Sequence, residues 1–295
     1  MPQNTNLNVS PYFDDFVDSK NYQKVLFKPG FPVQARELTT LQSILQNQIE
    51  KFGQHFFKEG SMIIPGGTSY DNQYHAVKID PNFLNIPVSS YTKVLVDNNI
   101  KIKGETSGVE ATVVNRILSS ESIDEFDTLY VKYTKSGTDG TTKVFIDGEN
   151  LITLSDISYL NTSIAANSQF ARTIVSNSTS IGSAFSVSEG VYFIRGFFVK
   201  NVSSTVILDQ YTNTPSYRVG FLLKEETLGP SSVNSDLYDN AKGFSNEAAP
   251  GADRFKLSVV LHRKLLTDTN DSDFVELLRV ENGVVKEIVT KTEYN

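Results

Sequence analysis

Grouped carboxylates are the side chains of this sequence whose spacing could carry chemistry. They are Asp14 with Asp15, Asp124 with Asp127, and Asp268 with Asp271 and Asp273. Paired carboxylates can hydrolyse glycosidic bonds, and aspartates at alternate positions can bind calcium. The segment 268–279 departs from a calcium loop, because its sixth position is Asp273 instead of glycine and its twelfth is Arg279 instead of glutamate. We therefore favour a solvated turn at this segment.

Other residue types used in catalysis are scarce. The chain contains no cysteine, which excludes a disulfide framework, a thiolate zinc site and a cysteine nucleophile. Its three histidines, His55, His75 and His262, are far apart in the sequence and do not indicate a metal site. Residues 104–108 (GETSG) have the spacing G-x-x-S-G between strand-like segments, whereas a nucleophile elbow needs G-x-S-x-G in a strand–turn–helix context. We predict no enzymatic activity, no cofactor and no bound metal.

The charge balance and the hydropathy exclude two further classes of partner. Lys and Arg number 27 against 34 Asp and Glu, a net charge of −7, which argues against duplex nucleic acid as the main partner. No stretch approaches the roughly 18 uninterrupted apolar residues that indicate a membrane span. The N-terminus lacks the basic and apolar regions of a secretory signal. We expect a soluble chain that is made in a cytoplasm.

One segment has the period of an α-helix. Between Pro32 and Gly60 the apolar residues advance by 3.6 positions on average, namely Leu38, Leu41, Leu45, Ile49, Phe52 and Phe56. The opposite face is rich in amides and nearly uncharged. This helix either lies on its own domain or meets its own copies in an oligomer, since an amide face can be buried at lower cost than a charged one. The spacing alone does not choose between the two.

From residue 91 onward, short strand-like runs alternate with Gly, Asp and Asn turns. We predict strands at 93–96, 100–102, 109–114, 129–133, 143–146, 183–199, 204–208, 255–265 and 274–280, with turns at 189–190 and 281–283 and a polar loop at 224–254. The predicted fold class is α+β and mainly β, with an N-terminal arm and one long amphipathic helix followed by β-sandwich or small-barrel domains. The predicted division is 1–89 (arm, helix and first strands), 90–162 (a small inserted β-domain) and 163–295 (a β-rich domain that packs back on the N-terminal region).

Several blocks of the sequence resemble a known family. Residues 7–16 (LNVSPYFDDF), 21–30 (NYQKVLFKPG) and 34–49 (QARELTTLQSILQNQI) resemble the start of a virion structural family of tailed bacteriophages. That family carries a domain of unknown function and is common in contractile-tailed phages, including those of cyanobacteria. Further similar stretches are 195–208, 213–220 and 249–254. Residues 104–113 resemble a hairpin of small β-modules in phage structural proteins, although Val109 stands where alanine is commoner.

The resemblance implies a baseplate or tail-fibre-like structural protein of the virion, assembled in the host cytoplasm and without catalytic residues. We expect an oligomeric connector, with a trimer favoured, that attaches to other baseplate or tail proteins through its N-terminal region and supports fibres. The interface residues that we predict are Tyr12, Phe13, Phe16, Gln42, Gln46 and Phe56.

Two other functions are weighed against the connector. One is a receptor- or glycan-binding tail-fibre module that would use the loop 224–254, and the less favoured one is a tail-associated glycoside hydrolase. Family members are often longer, and the chain ends abruptly after a strand. We therefore expect it to be the N-terminal, virion-proximal part of a longer polypeptide, or the ordered part of one.

Overall fold

A computed structural model describes residues 3–121, 126–230, 232 and 251–294. Helix α1 spans Ala35–Phe56 and helix α2 spans Ser89–Asp97, and single 3₁₀ turns occur at Asp18–Lys20 and Ser119–Glu121. The strands in the described residues are β1 Met62–Ile64, β2 Thr68–Ile79, β3 Asn82–Phe83, β4 Ile86–Pro87, β5 Lys101–Gly104, β6 Glu110–Ile117, β7 Asp127–Lys135, β8 Asn150–Thr153, β9 Ile157–Tyr159, β10 Thr162–Ile164, β11 Gln169–Arg172, β12 Thr179–Val187, β13 Gly190–Ile194, β14 Phe197–Asn201, β15 Ser204–Asp209, β16 Tyr217–Leu228, β17 Arg254–Leu265, β18 Phe274–Glu281 and β19 Val284–Ile288. The prediction of an α+β, mainly β fold is confirmed.

The largest sheet has eight strands in the order β11-β8-β5-β6-β7-β2-β12-β15, and every pairing in it is antiparallel. Strand β2 lies inside it between β7 and β12. The sheet therefore takes strands from all three predicted segments, 1–89, 90–162 and 163–295, and that division stays a prediction. A four-stranded sheet, β17-β16-β18-β19, and a three-stranded sheet, β1-β13-β14, complete the main architecture.

Two hydrophobic cores lie along the eight-stranded sheet. The first lies under α2 and includes Tyr91, Leu95 and Phe170. The second joins β12 and β15 to the two smaller sheets, and it includes Phe185 and Tyr192. The eight-stranded sheet therefore contributes residues to both cores. It packs against α2 in the first core and against the two smaller sheets in the second.

Helix α1 is close to its predicted position. It begins three residues after Pro32, where the Glu37 carboxylate accepts a hydrogen bond of 2.9 Å from the backbone N–H of Gln34. This contact satisfies one of the N–H groups that a helix start leaves without a partner. The helix ends at Phe56, a few residues before Gly60.

Two strand predictions are wrong. Residues 93–96 belong to α2, because a four-residue apolar run fits a helix as well as a strand. The helical period places Tyr91 and Leu95 one turn apart, and both are buried in the first core. Residues 143–146 form no strand, although Phe145 is buried among the same core residues and its backbone N–H donates to the Tyr133 hydroxyl at 3.3 Å.

The loop and turn predictions are corrected in part. Residues 224–228 belong to β16, which pairs with β17 along all twelve of its residues, and residues 231 and 233–250 of the predicted loop lie outside the described part. The turn at 189–190 joins strands of two different sheets, so it does not close a hairpin. The turn at 282–283 is confirmed, and both of its residues have the left-handed backbone that a tight hairpin turn requires.

Candidate assembly interface

Polar contacts hold the N-terminal arm, residues 3–34, against α1. The buried Asp14 carboxylate accepts hydrogen bonds from the hydroxyls of Thr40, at 3.1 Å, and Ser43, both on α1. It also accepts the backbone N–H of Phe16 at 3.1 Å. Asp15 accepts from the same Thr40 hydroxyl at 3.0 Å. The first carboxylate pair of the sequence therefore fixes the arm to the helix.

The start of the arm is anchored on strand β16. The Glu225 carboxylate accepts the backbone N–H groups of Asn4 and Thr5 at 2.9 and 2.8 Å, and also the Thr5 hydroxyl at 2.7 Å. Burial alone would raise the pKa of Glu225, but these hydrogen bonds and the one from Arg195 outweigh it, so the pKa is lowered. The ionised carboxylate is thus the form that binds the arm.

Arg195 connects Glu225, which binds the start of the arm, to other parts of the chain. It lies in the tight turn between β13 and β14, and its side chain is only 4% exposed. The guanidinium donates to Glu225 and to Asp273 at 2.5 Å each, and its backbone N–H donates to Glu59 at 2.7 Å. Burial would lower the pKa of Arg195, but the two carboxylates outweigh it and raise the pKa. Arg195 therefore connects Glu225, which binds the start of the arm, with Asp273 before β18 and with Glu59 after α1.

The described members of the other two carboxylate groups also have structural partners. Asp271 pairs with Arg218 at 2.7 Å, and Arg218 also donates to the backbone carbonyl of Asp268 at 2.6 Å. Asp127 is buried and accepts the Ser119 N–H at 2.7 Å, whereas Asp124 lies outside the described residues. The aspartates at 271 and 273 thus pair with two different arginines.

The described residues form neither a group of metal ligands nor a membrane-spanning helix. Within the described ranges, no three His, Cys, Asp or Glu side chains come together as metal ligands. Neither helix of those ranges is long and apolar enough to span a bilayer.

The inner face of α1 approaches the body closely but buries little apolar surface. Ile44 is its one buried large side chain, and Gly53 is buried with it. A Cβ atom at Gly53 would overlap the ring of Phe193 on β13, so only glycine allows this distance. The Gln46 amide donates to the backbone carbonyl of Gly196 at 2.8 Å. The helix is thus held through backbone proximity and hydrogen bonds.

The outer face of α1 carries the apolar residues. We define the outer stripe as Leu38, Leu45, Ile49, Phe52 and Phe56, whose exposed fractions lie between 43% and 64%. A surface helix normally turns its apolar stripe toward its own core. Contiguous exposed apolar surface of this kind marks an interaction site.

Exposed apolar residues of the arm line a cavity beside the first turn of α1. Leu26, Phe27 and Phe31 surround this cavity of about 240 Å³, which also contacts Glu37. Leu26 and Phe31 are largely exposed, and Phe27 is about half exposed. The arm therefore presents apolar surface of its own next to the start of the helix.

The six predicted interface residues occupy different environments. Phe13, Gln42 and Phe56 are exposed, and Phe16 is half-buried. Tyr12 is half-buried and donates to Asp253 at 2.5 Å, and Gln46 contacts its own chain as described above. Whether these residues contact a partner stays a prediction.

Sequence analysis did not select Leu38, Leu45, Ile49 and Phe52 for the interface. Their 3.6-residue period was visible, but an apolar stripe is expected to face inward, and no local signal showed that this one faces outward. In the sequence, Arg195 is a single charge inside an apolar run, and no local pattern indicates which carboxylates it pairs with.

Comparison with known proteins gives one match. Residues 10–123 match a family described as a domain of unknown function (DUF4815). The matched region covers most of the arm, both helices and strands β1 to β6. No curated protein and no solved structure matches the chain.

Proposed function

We propose that the chain is a structural component of a bacteriophage tail or baseplate. In this function it is an oligomeric connector, with a trimer favoured, that attaches to neighbouring virion proteins through its N-terminal region and supports fibres. The observation that carries the proposal is the outer stripe, because α1 is the more strongly amphipathic of the two helices and no described residue covers its apolar face. The resemblance of residues 7–16, 21–30 and 34–49 to phage virion proteins supplies the biological setting.

The anchoring of the arm supports this function on physical grounds. Asp14 and Glu225 fix both parts of the arm against the body before any partner arrives. A surface that is already ordered loses less conformational entropy on association, so more of its contact energy is available for binding. Repeated copies then convert modest contacts into lasting assembly, because each added contact is made at a high effective concentration.

A charge placed in the outer stripe tests the proposal. Leu45→Lys introduces an ammonium group at a position that is 57% exposed, so the isolated chain should fold normally. Leu160→Lys is the matched control, because Leu160 is 90% exposed in the β9–β10 turn. Particles assembled with either variant as their only copy of the protein would be purified and analysed for its incorporation.

We expect Leu45→Lys to be absent from particles and Leu160→Lys to be present at the wild-type level. Complete tails containing Leu45→Lys would contradict attachment through the outer stripe. Circular dichroism of both purified variants verifies that any loss does not come from misfolding.

A further inference from the structure

Six exposed positions of α1 follow a heptad repeat. Leu38, Leu45 and Phe52 lie seven residues apart, and so do Gln42, Ile49 and Phe56. The two series alternate by four and three residues, which is the a/d pattern of a coiled coil, with Gln42, Ile49 and Phe56 at a and Leu38, Leu45 and Phe52 at d. The 22 residues of α1 span just over three heptads.

Its own chain covers the opposite side of α1. Thr40, Ser43 and Ile44 occupy positions f, b and c of this repeat, and they contact the arm or are buried. Every a and d position from Leu38 to Phe56 is exposed, including Gln42. The body therefore holds the helix on its b, c and f side and at the e positions Gln46 and Gly53, and it leaves the a and d positions accessible.

We infer that the outer stripe packs against the same stripe of further copies of this chain, with the α1 helices parallel and in register. This inference rests on the proposed function and names the partner of its surface. Knobs-into-holes packing needs a second heptad seam, and another copy supplies one of equal length. The stripe offers on the order of 500 Å² of exposed apolar surface, against roughly 800 Å² per partner in a standard interface.

The position of Gln42 sets the direction of the helices. In a parallel, in-register arrangement the Gln42 amides of neighbouring copies meet, and each amide can both donate and accept a hydrogen bond. An antiparallel arrangement of the same seam would pair a positions with d positions, place Gln42 against Phe52 and leave a buried amide without a partner, which costs free energy. A single polar a position is a known device for fixing the register of a coiled coil.

The residues beside the seam allow identical copies to approach. Positions e and g of the repeat are Thr39, Leu41, Gln46, Gln48, Gly53 and His55. None of them is Asp, Glu, Lys or Arg, so parallel copies bring no like charges of these types together at the flanks. Charged e and g positions are what usually select a different partner or orientation. The uncharged flanks therefore favour association of like with like.

Cysteine cross-linking tests the direction, because the chain has no native cysteine. We expect oxidised Leu38→Cys to give a cross-linked species of twice the 32.8 kDa chain mass. Lys51→Cys, at an exposed c position, is the control and should stay uncross-linked. A mixture of Leu38→Cys with a tagged Phe56→Cys chain should give no mixed product, because residues 18 positions apart are separated by about 27 Å along a helix, whereas an antiparallel seam would bring them together. Dominant mixed products, or no product from Leu38→Cys, would overturn the inference.

Light scattering separates this inference from the proposed function. At micromolar concentration we expect the wild-type chain and Leu160→Lys to have a multiple of the 32.8 kDa mass, and Leu45→Lys to have the mass of one chain. A monomeric wild type whose Leu45→Lys variant still fails to enter particles would overturn self-association and leave standing the part of the proposed function in which the outer stripe attaches the chain to other virion proteins. An oligomer disrupted by Leu45→Lys, together with normal tails, would support self-association and overturn the proposed function.

Discussion

The two helices of this protein use their apolar faces in opposite ways. Helix α2 has nine residues and buries Tyr91, Thr92 and Leu95 against the eight-stranded sheet. Helix α1 has 22 residues, yet Ile44 and Gly53 are its only buried ones, and its apolar stripe faces outward. The shorter helix completes a core, whereas the longer one adds little to any core of its own chain.

The difference teaches that an amphipathic pattern identifies an apolar face but not what covers it. The open face of β5 to β8 would be exposed without α2, so the two apolar surfaces cover each other. The surface beneath α1 is partly polar. Its groups in contact with α1 include the Asp14 carboxylate, the Gly196 carbonyl and the Phe193 ring. Such a surface suits the polar side of α1.

The largest expected effect is on stability, and it distinguishes the two helices directly. Leu95→Ala should lower the free energy of unfolding by about 2–5 kcal/mol, because Leu95 is fully buried and the change leaves a cavity. Leu45→Ala should cost less than about 1 kcal/mol in the monomer, since it removes half-exposed atoms. Urea denaturation of dilute protein, followed by circular dichroism, measures both. Equal losses would show that the outer stripe is already covered within one chain.

A smaller effect tests how closely α1 approaches the body. Gly53→Ala gains about 1 kcal/mol of helix propensity, but its methyl group overlaps the Phe193 ring, and such overpacking costs about 1–3 kcal/mol. We expect a net loss in the thermal unfolding midpoint. Gln42→Ala, an exposed control on the same helix, should shift that midpoint little in dilute protein. A more stable Gly53→Ala variant would contradict the close contact.

The smallest effect is local and depends on pH. The pKa of Glu225 is lowered from its ordinary value of 4.5, so the ionised form, which binds Asn4 and Thr5, predominates at every pH above that value. Its contribution to arm anchoring is complete above about pH 4.5 and is lost as the pH falls through the lowered pKa. Limited proteolysis of the arm should therefore accelerate in acid.

The variant Glu225→Gln isolates this group. Its arm should be cleaved faster than the wild-type arm at neutral pH and should show a weaker dependence on acid. Glu226→Gln is the control, because Glu226 pairs with Lys224 and Lys256 instead of the arm. Identical cleavage profiles for wild type and Glu225→Gln would show that other contacts hold the arm.

Locally encoded features were the ones that the sequence could predict. The period of α1 and the Asn282–Gly283 turn depend on neighbouring residues, and both are present. The run 93–96 was assigned wrongly because its helical state depends on the sheet beneath it. Strand order and the carboxylate partners of Arg195, which lie 30 and 78 residues away, depend on contacts that no local pattern encodes. The same holds for the outward direction of the stripe on α1.

The buried arginine at the β13–β14 turn also has a mechanical consequence. A force applied to the C-terminal sheet at Asp273 or Glu225 is passed to Glu59, after α1, partly through the guanidinium and the backbone N–H of Arg195. Direct hydrogen bonds, such as the one from the Lys58 N–H to the Glu293 carbonyl, carry load beside it. The Arg195–Glu225 pair is short and shielded from water, with side chains that are 4% and 8% exposed, so this part of the joint resists small displacements. Arg195 is therefore one of the points at which load is shared between the segment after α1 and the C-terminal sheet.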